Sequence, residues 1–137
     1  MSTINLSALK STTSNPPIMQ SQNGIDRGKF CRGWVSFGRD LGDLDTYEIM
    51  SQFNVLSVVD QGVGTFRIQF KNAMPQSSYA VAGTASQSTG EVMGMNINAS
   101  NNAATPMTTT TFDIRTAVAN TTNTDPIYVC VYAYADS

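Results

Sequence analysis

The chain has 137 residues, 41% of them apolar and 13% charged, which suits one domain with one ordinary core. Its formal charge of −2 and the absence of any dense basic cluster exclude a nucleic-acid partner, and no apolar run approaches the ~20 residues of a membrane-spanning helix. There is no histidine, so the commonest general base and a common zinc ligand are both missing.

Residues 1–28 differ from the rest. They contain no aromatic residue, and the opening Met1-Ser2-Thr3-Ile4-Asn5 lacks the basic-then-apolar order of a secretory signal. Pro16 and Pro17 favour an extended path. Ile4, Leu6, Leu9 and Ile18 are scattered apolar residues that could dock on something. Two readings stand: a loose tail, or an attachment arm that orders against a neighbouring subunit through Ile4, Leu6, Leu9, Pro16, Pro17 and Ile18. The domain proper is expected over 29–137.

From Phe30 onward the signal is strand after strand. Phe30 to Phe37 is rich in aromatic and β-branched residues, and Phe53 to Asp60 reads as one further strand, turned by Gly62-Val-Gly64. Between them, Tyr47 to Gln52 fits a helical turn or a strand. Thr65 to Lys71 alternates cleanly, with Phe66, Ile68 and Phe70 on one side and Arg67, Gln69 and Lys71 on the other. Pro75 ends that run, because proline cannot donate to a central ladder. Tyr79 to Ala85 and Val92 to Ile97 restart it. Asn98 to Thr105 is a polar loop, Thr108 to Val118 alternates again, Asn120 to Asp125 is a polar turn, and Ile127 to Tyr134 closes the series. Seven or eight strands separated by turn signals predict an all-β antiparallel sandwich behind an extended N-terminal arm.

Few residues suggest chemistry. Asp40-Leu-Gly-Asp43-Leu-Asp45 is the densest acidic cluster, yet its spacing is not that of an EF-hand, and a solvated loop is the plainer reading. Paired carboxylates could serve a glycosidase, but the acidic residues fall mostly in turns or at outward strand positions. Serine and threonine abound, but without histidine a Ser-His-Asp site is impossible. No catalytic residue, metal ligand or cofactor is expected. Cys31 and Cys130 could bridge the first and last strands, or stay reduced as in the cytosol. On the last strand Tyr128, Cys130, Tyr132 and Tyr134 share one face and Val129, Val131 and Ala133 the other. With Trp34, those tyrosines read as core and rim packing, as a subunit interface, or as a platform for sugar rings.

Taken in order, Cys31-Arg-Gly-Trp-Val-Ser-Phe37, Phe53-Asn-Val-Leu-Ser-Val-Val-Asp60, Gly62-Val-Gly64 with Phe66-Arg-Ile-Gln-Phe70, Met74-Pro75 with Tyr79-Ala-Val81, Phe112-Asp-Ile-Arg-Thr116 and Asp125-Pro-Ile-Tyr-Val129 resemble a tail-fibre-like module of cyanophage and other aquatic bacteriophage structural proteins. The resemblance covers about residues 30–134. It implies a non-enzymatic part of the virion surface, made and assembled in the host cytoplasm and frequently a homotrimer. The chain departs from the pattern between Gly38 and Tyr47, where an acidic insertion carrying Leu41 and Leu44 replaces a short glycine-rich loop, so those two leucines are candidate partner contacts. A fibre ordinarily needs a long shaft before its tip, which favours a capsid decoration protein held by its arm to the major capsid protein. The alternative is a tail-fibre tip on an adaptor protein, recognising a host-surface glycan.

Overall fold

The computed structural model describes residues 30–40, 46–87, 93–97, 107–118 and 122–135. The expected arm contacts, Leu41, Leu44 and the loop at 98–105 lie outside the described residues. Every regular element among those described is a strand: β1 (Phe30–Arg39), β2 (Tyr47–Phe53), β3 (Val55–Gly62), β4 (Thr65–Phe70), β5 (Ala80–Ser86), β6 (Met93–Ile97), β7 (Thr111–Val118), β8 (Thr122–Asn123) and β9 (Tyr128–Ala135). They form two antiparallel sheets, ordered β2-β1-β9-β5 and β3-β4-β7-β6, with β8 added beside β7. This is the all-β sandwich the alternation predicts.

The alternation works because β4, β7 and β9 each keep one face in the core. Phe66, Ile68 and Phe70 of β4 and Phe112 and Ile114 of β7 are buried against Val129, Val131 and Ala133 of β9 and Val35 and Phe37 of β1. Each such side chain contributes about 1.5–3 kcal/mol on leaving water, the smaller ones less. Rings at the two ends of β4 organise this core. Phe66 meets Phe37 at 5.2 Å and Tyr47 at 4.7 Å, edge to face, while Phe70 and Phe112 close on Tyr79 at 5.6 and 5.9 Å. Each aromatic pair adds about 0.5–1.5 kcal/mol beyond area alone. Tyr79 satisfies its buried hydroxyl by donating to the Thr111 carbonyl at 3.2 Å, and burial raises its pKa, keeping it a neutral donor.

Two segments depart from the sequence reading, and a third is decided. Tyr47 to Gln52, open between a helical turn and a strand, is strand. The run from Phe53 to Asp60 is not one strand but the junction of two, because Asn54 adopts φ 56° and sends the chain from one sheet to the other. Asparagine tolerates that left-handed conformation, since its short polar side chain can hydrogen-bond locally. Here Asn54 Nδ2 donates to the carbonyl of Arg32 at 2.9 Å and Oδ1 accepts the backbone N–H of Asn72 at 2.8 Å, tying the corner to β1 and to the end of β4. The expected turn from Asn120 to Asp125 contains β8, whose Thr122 and Asn123 pair with Val118 and Ala117.

The two sheets also need small residues where they come close. Gly83 of β5 lies under Met95 of β6: a Cβ there would sit 2.9 Å from Met95 Sδ and collide with the Cys130 carbonyl oxygen. At one end of the sandwich, Asp125 Oδ1 accepts the N–H of Gly64 at 2.6 Å and Oδ2 lies 3.4 Å from Arg39 Nη2, while the Tyr47 hydroxyl donates to the Pro126 carbonyl at 3.1 Å. This latch ties the β3–β4 turn and the entry to β9 to the paired strands β1 and β2.

Candidate interaction surface

Register places the outward residues of the first sheet in ranks. Tyr132 of β9 faces Trp34 of β1 on one side and Ala82 of β5 on the other, and Trp34 in turn faces Phe53 of β2. A rank of three aromatic residues, Phe53, Trp34 and Tyr132, therefore crosses three adjacent strands, with cross-strand neighbours about 4.5–5.5 Å apart at Cβ. The flanking ranks set Tyr134 between Cys31 and Ala80, Cys130 between Ser36 and Thr84, and Tyr128 between Gly38 and Ser86. None of these residues is charged; on β2 the last rank ends in the carboxylate of Glu48, opposite Gly38. Phe53 is 48% exposed, Tyr132 38% and Tyr128 36%, while Trp34 and Tyr134 are half-buried.

The second sheet turns a different face outward. Arg67 of β4 forms a bidentate ion pair with Asp113 of β7 at 2.8 and 2.9 Å, Ser57 donates to Gln69 at 3.2 Å, and Asn96 stands opposite Arg115. A charged, hydrogen-bonded face suits water. A face dominated by tyrosine, tryptophan, phenylalanine and small residues, with Glu48 at its β2 edge, has the composition of an interface centre, where aromatics are enriched and charge is depleted.

The apolar surface continues round the edge where β2 passes into β3. Ile49, Met50, Phe53 and Leu56 are all exposed there, while Val59, also exposed, stands opposite Arg67 on the charged face of the other sheet. Two of them are bulge residues. The β1–β2 register passes from Ser51 to Ile49 across Met50, and the β3–β4 register passes from Val55 to Ser57 across Leu56. A bulge bends its strand and re-aims a side chain, here into solvent.

The tyrosines singled out from the sequence, Tyr128, Tyr132 and Tyr134, thus share one outward face, and Trp34 joins them. Phe53, Met50, Leu56 and Val59 were missed, because a single strand from Phe53 to Asp60 hides the corner that exposes them. Asn54 between Phe53 and Val55 was the available signal.

Both described cysteines are free thiols, and the β1–β9 register explains why. Cys31 pairs with Tyr134, four residues along β9 from Cys130. That is about 13 Å of strand, well beyond the ~7 Å that limits a disulfide, so the bridge between first and last strands does not form. Cys31 Sγ donates instead to the Gly33 carbonyl at 3.4 Å, and burial raises its thiol pKa. Cys130 Sγ donates to the Tyr132 hydroxyl at 3.1 Å.

Three described carboxylates have structural work. Asp60 accepts the Gly62 N–H at 2.8 Å, Asp113 holds Arg67, and Asp125 holds Gly64 and Arg39. Among the described residues no three His, Cys, Asp or Glu gather where they could hold a metal ion; residues 41–45 of the acidic loop lie outside that set. No protein-family model, curated protein or solved structure matches this chain.

Proposed function

We propose that this protein is a non-enzymatic structural component of a bacteriophage virion, a capsid decoration protein that binds the outer shell. The observation that carries the proposal is the rank Phe53–Trp34–Tyr132 in a largely apolar sheet face, set against a charged face on the other sheet. That asymmetry gives the sandwich one side for a partner and one for water. The ordered likeness of residues 30–134 to aquatic-phage modules supplies the setting. In this reading the aromatic face lies on the shell, and the arm, through Ile4, Leu6, Leu9, Pro16, Pro17 and Ile18, runs along it to neighbouring capsomers.

The mechanism is binding without turnover. A protein that binds the closed shell and not its opened states stabilises the closed form by mass action. The test is copy number in purified particles, by quantitative mass spectrometry against the major shell protein. A count commensurate with the shell protein is expected. A handful of copies per particle would move the protein to the tail and make host-surface recognition its role; absence from particles would overturn the virion assignment altogether.

A further inference from the structure

A sheet edge offers unpaired backbone donors and acceptors, and proteins ordinarily blunt such edges with bulges, charges, proline or shortness. Two of the four described edges are blunted. β2 carries the bulge at Met50 and a carboxylate at Glu48, and β3 carries bulges at Leu56 and Gln61 and a carboxylate at Asp60. β5 has none of these devices. Its seven residues, Ala-Val-Ala-Gly-Thr-Ala-Ser, include no charge and no proline, and its register with β9 runs unbroken from Ala80 opposite Tyr134 to Ser86 opposite Tyr128. Among the described residues nothing pairs with its outer edge.

We propose that β5 is the seam through which two copies of this chain pair, antiparallel and centred on Gly83, joining two four-stranded sheets into one of eight. A two-fold seam requires a surface that fits itself. Centred on Gly83, Ala82 stands opposite the partner's Thr84 and Ala80 opposite the partner's Ser86, so small uncharged residues meet throughout. The same operation at β2 would have to pair through the bulge at Met50, and at β3 through two bulges. The outward side chains of β5 are small enough for two strands to approach to the usual ~4.8 Å spacing without steric conflict. The seam also leaves the rank Phe53–Trp34–Tyr132 uncovered in both copies, so pairing is compatible with the proposed docking and does not depend on it.

A seven-residue seam belongs at the small end of specific interfaces, so the dimer should be reversible, with a dissociation constant on the order of 1 μM. The test is native mass spectrometry and sedimentation of the full chain at about 50 μM, well above that range. A dimer of the purified chain is expected, with slow amide exchange in β5 that speeds on dilution. The double variant Ala82→Lys with Thr84→Lys sets like charges opposite each other twice and should raise the dissociation constant about tenfold or more. The double variant Ala82→Lys with Thr84→Glu sets opposite charges face to face at the same positions and should restore the dimer. A monomeric or trimeric wild type would overturn the proposal. So would two double variants that pair equally, or that dissociate equally.

Discussion

Asn54 joins what the sequence keeps apart. Its side chain holds the carbonyl of Arg32, the carbonyl of Asn72 and the N–H of Asn72, and its backbone occupies a conformation that other residues enter at a cost. Alanine there loses the bonds and keeps the strain. Asn54→Ala should therefore destabilise the sandwich by about 2–4 kcal/mol, with the left-handed backbone costing about 1–2 and the orphaned partners the remainder. Asn54→Gly relieves the backbone but not the bonds and should fall between, which urea denaturation of the three proteins would measure. Equal stability of the alanine and glycine variants would show that the backbone contributes nothing. This residue also marks the limit of sequence reading at its own scale. Phe53-Asn54-Val55 looks like a strand with one polar position; that asparagine is the one hint of a corner, and its φ of 56° decides it. Gly83 is similar: nothing near it in sequence announces that Met95, from the opposite sheet, will rest on it.

Among the elements, legibility follows burial. β4, β7 and β9 have one face in the core throughout, so their apolar residues recur every second position and their extent and facing can be read directly. β2 is exposed along nearly its whole length, carries a bulge, and offers no such period, which is why helix and strand stayed equally open there. The outward face of β9 was legible as a set of tyrosines. Its meaning was not, because that depends on what β1, β2 and β5 place beside it. The contrast between the two sheet faces makes a prediction at this scale. Tyr132 is exposed at the β9 end of the aromatic rank, so Tyr132→Glu should leave thermal stability within about 0.5 kcal/mol of wild type. It puts a charge within the proposed contact and should reduce occupancy on particles at least tenfold. Arg67→Ala, on the opposite face, breaks an exposed ion pair at a cost of about 1 kcal/mol or less and should load normally. Loss of loading in both variants, or in neither, would remove the aromatic face as the docking surface.

For the whole molecule, the decisive arrangement is that β1, the first described strand, lies between β2 and β9 in the interior of its sheet. Its described pairing partners fall within residues 47–135, and among the described residues the core begins at Val35. The closing latch likewise draws on Arg39, Tyr47, Gly64 and Asp125. The pairing of β1 is thus complete within the described strands, whereas the proposed attachment rests on Ile4, Leu6, Leu9, Pro16, Pro17 and Ile18. Deleting residues 1–20 separates the two. The truncated protein should melt cooperatively within a few degrees of the full chain, since a 1 kcal/mol change in a domain this size shifts the midpoint by only about 4 °C. Its occupancy on virions should fall to background. A truncated protein that folds and still loads at wild-type occupancy would leave the aromatic face as the sole attachment and remove the arm from the mechanism. One that fails to fold would mean that the segment belongs to the domain, and a boundary near residue 28 would then be wrong.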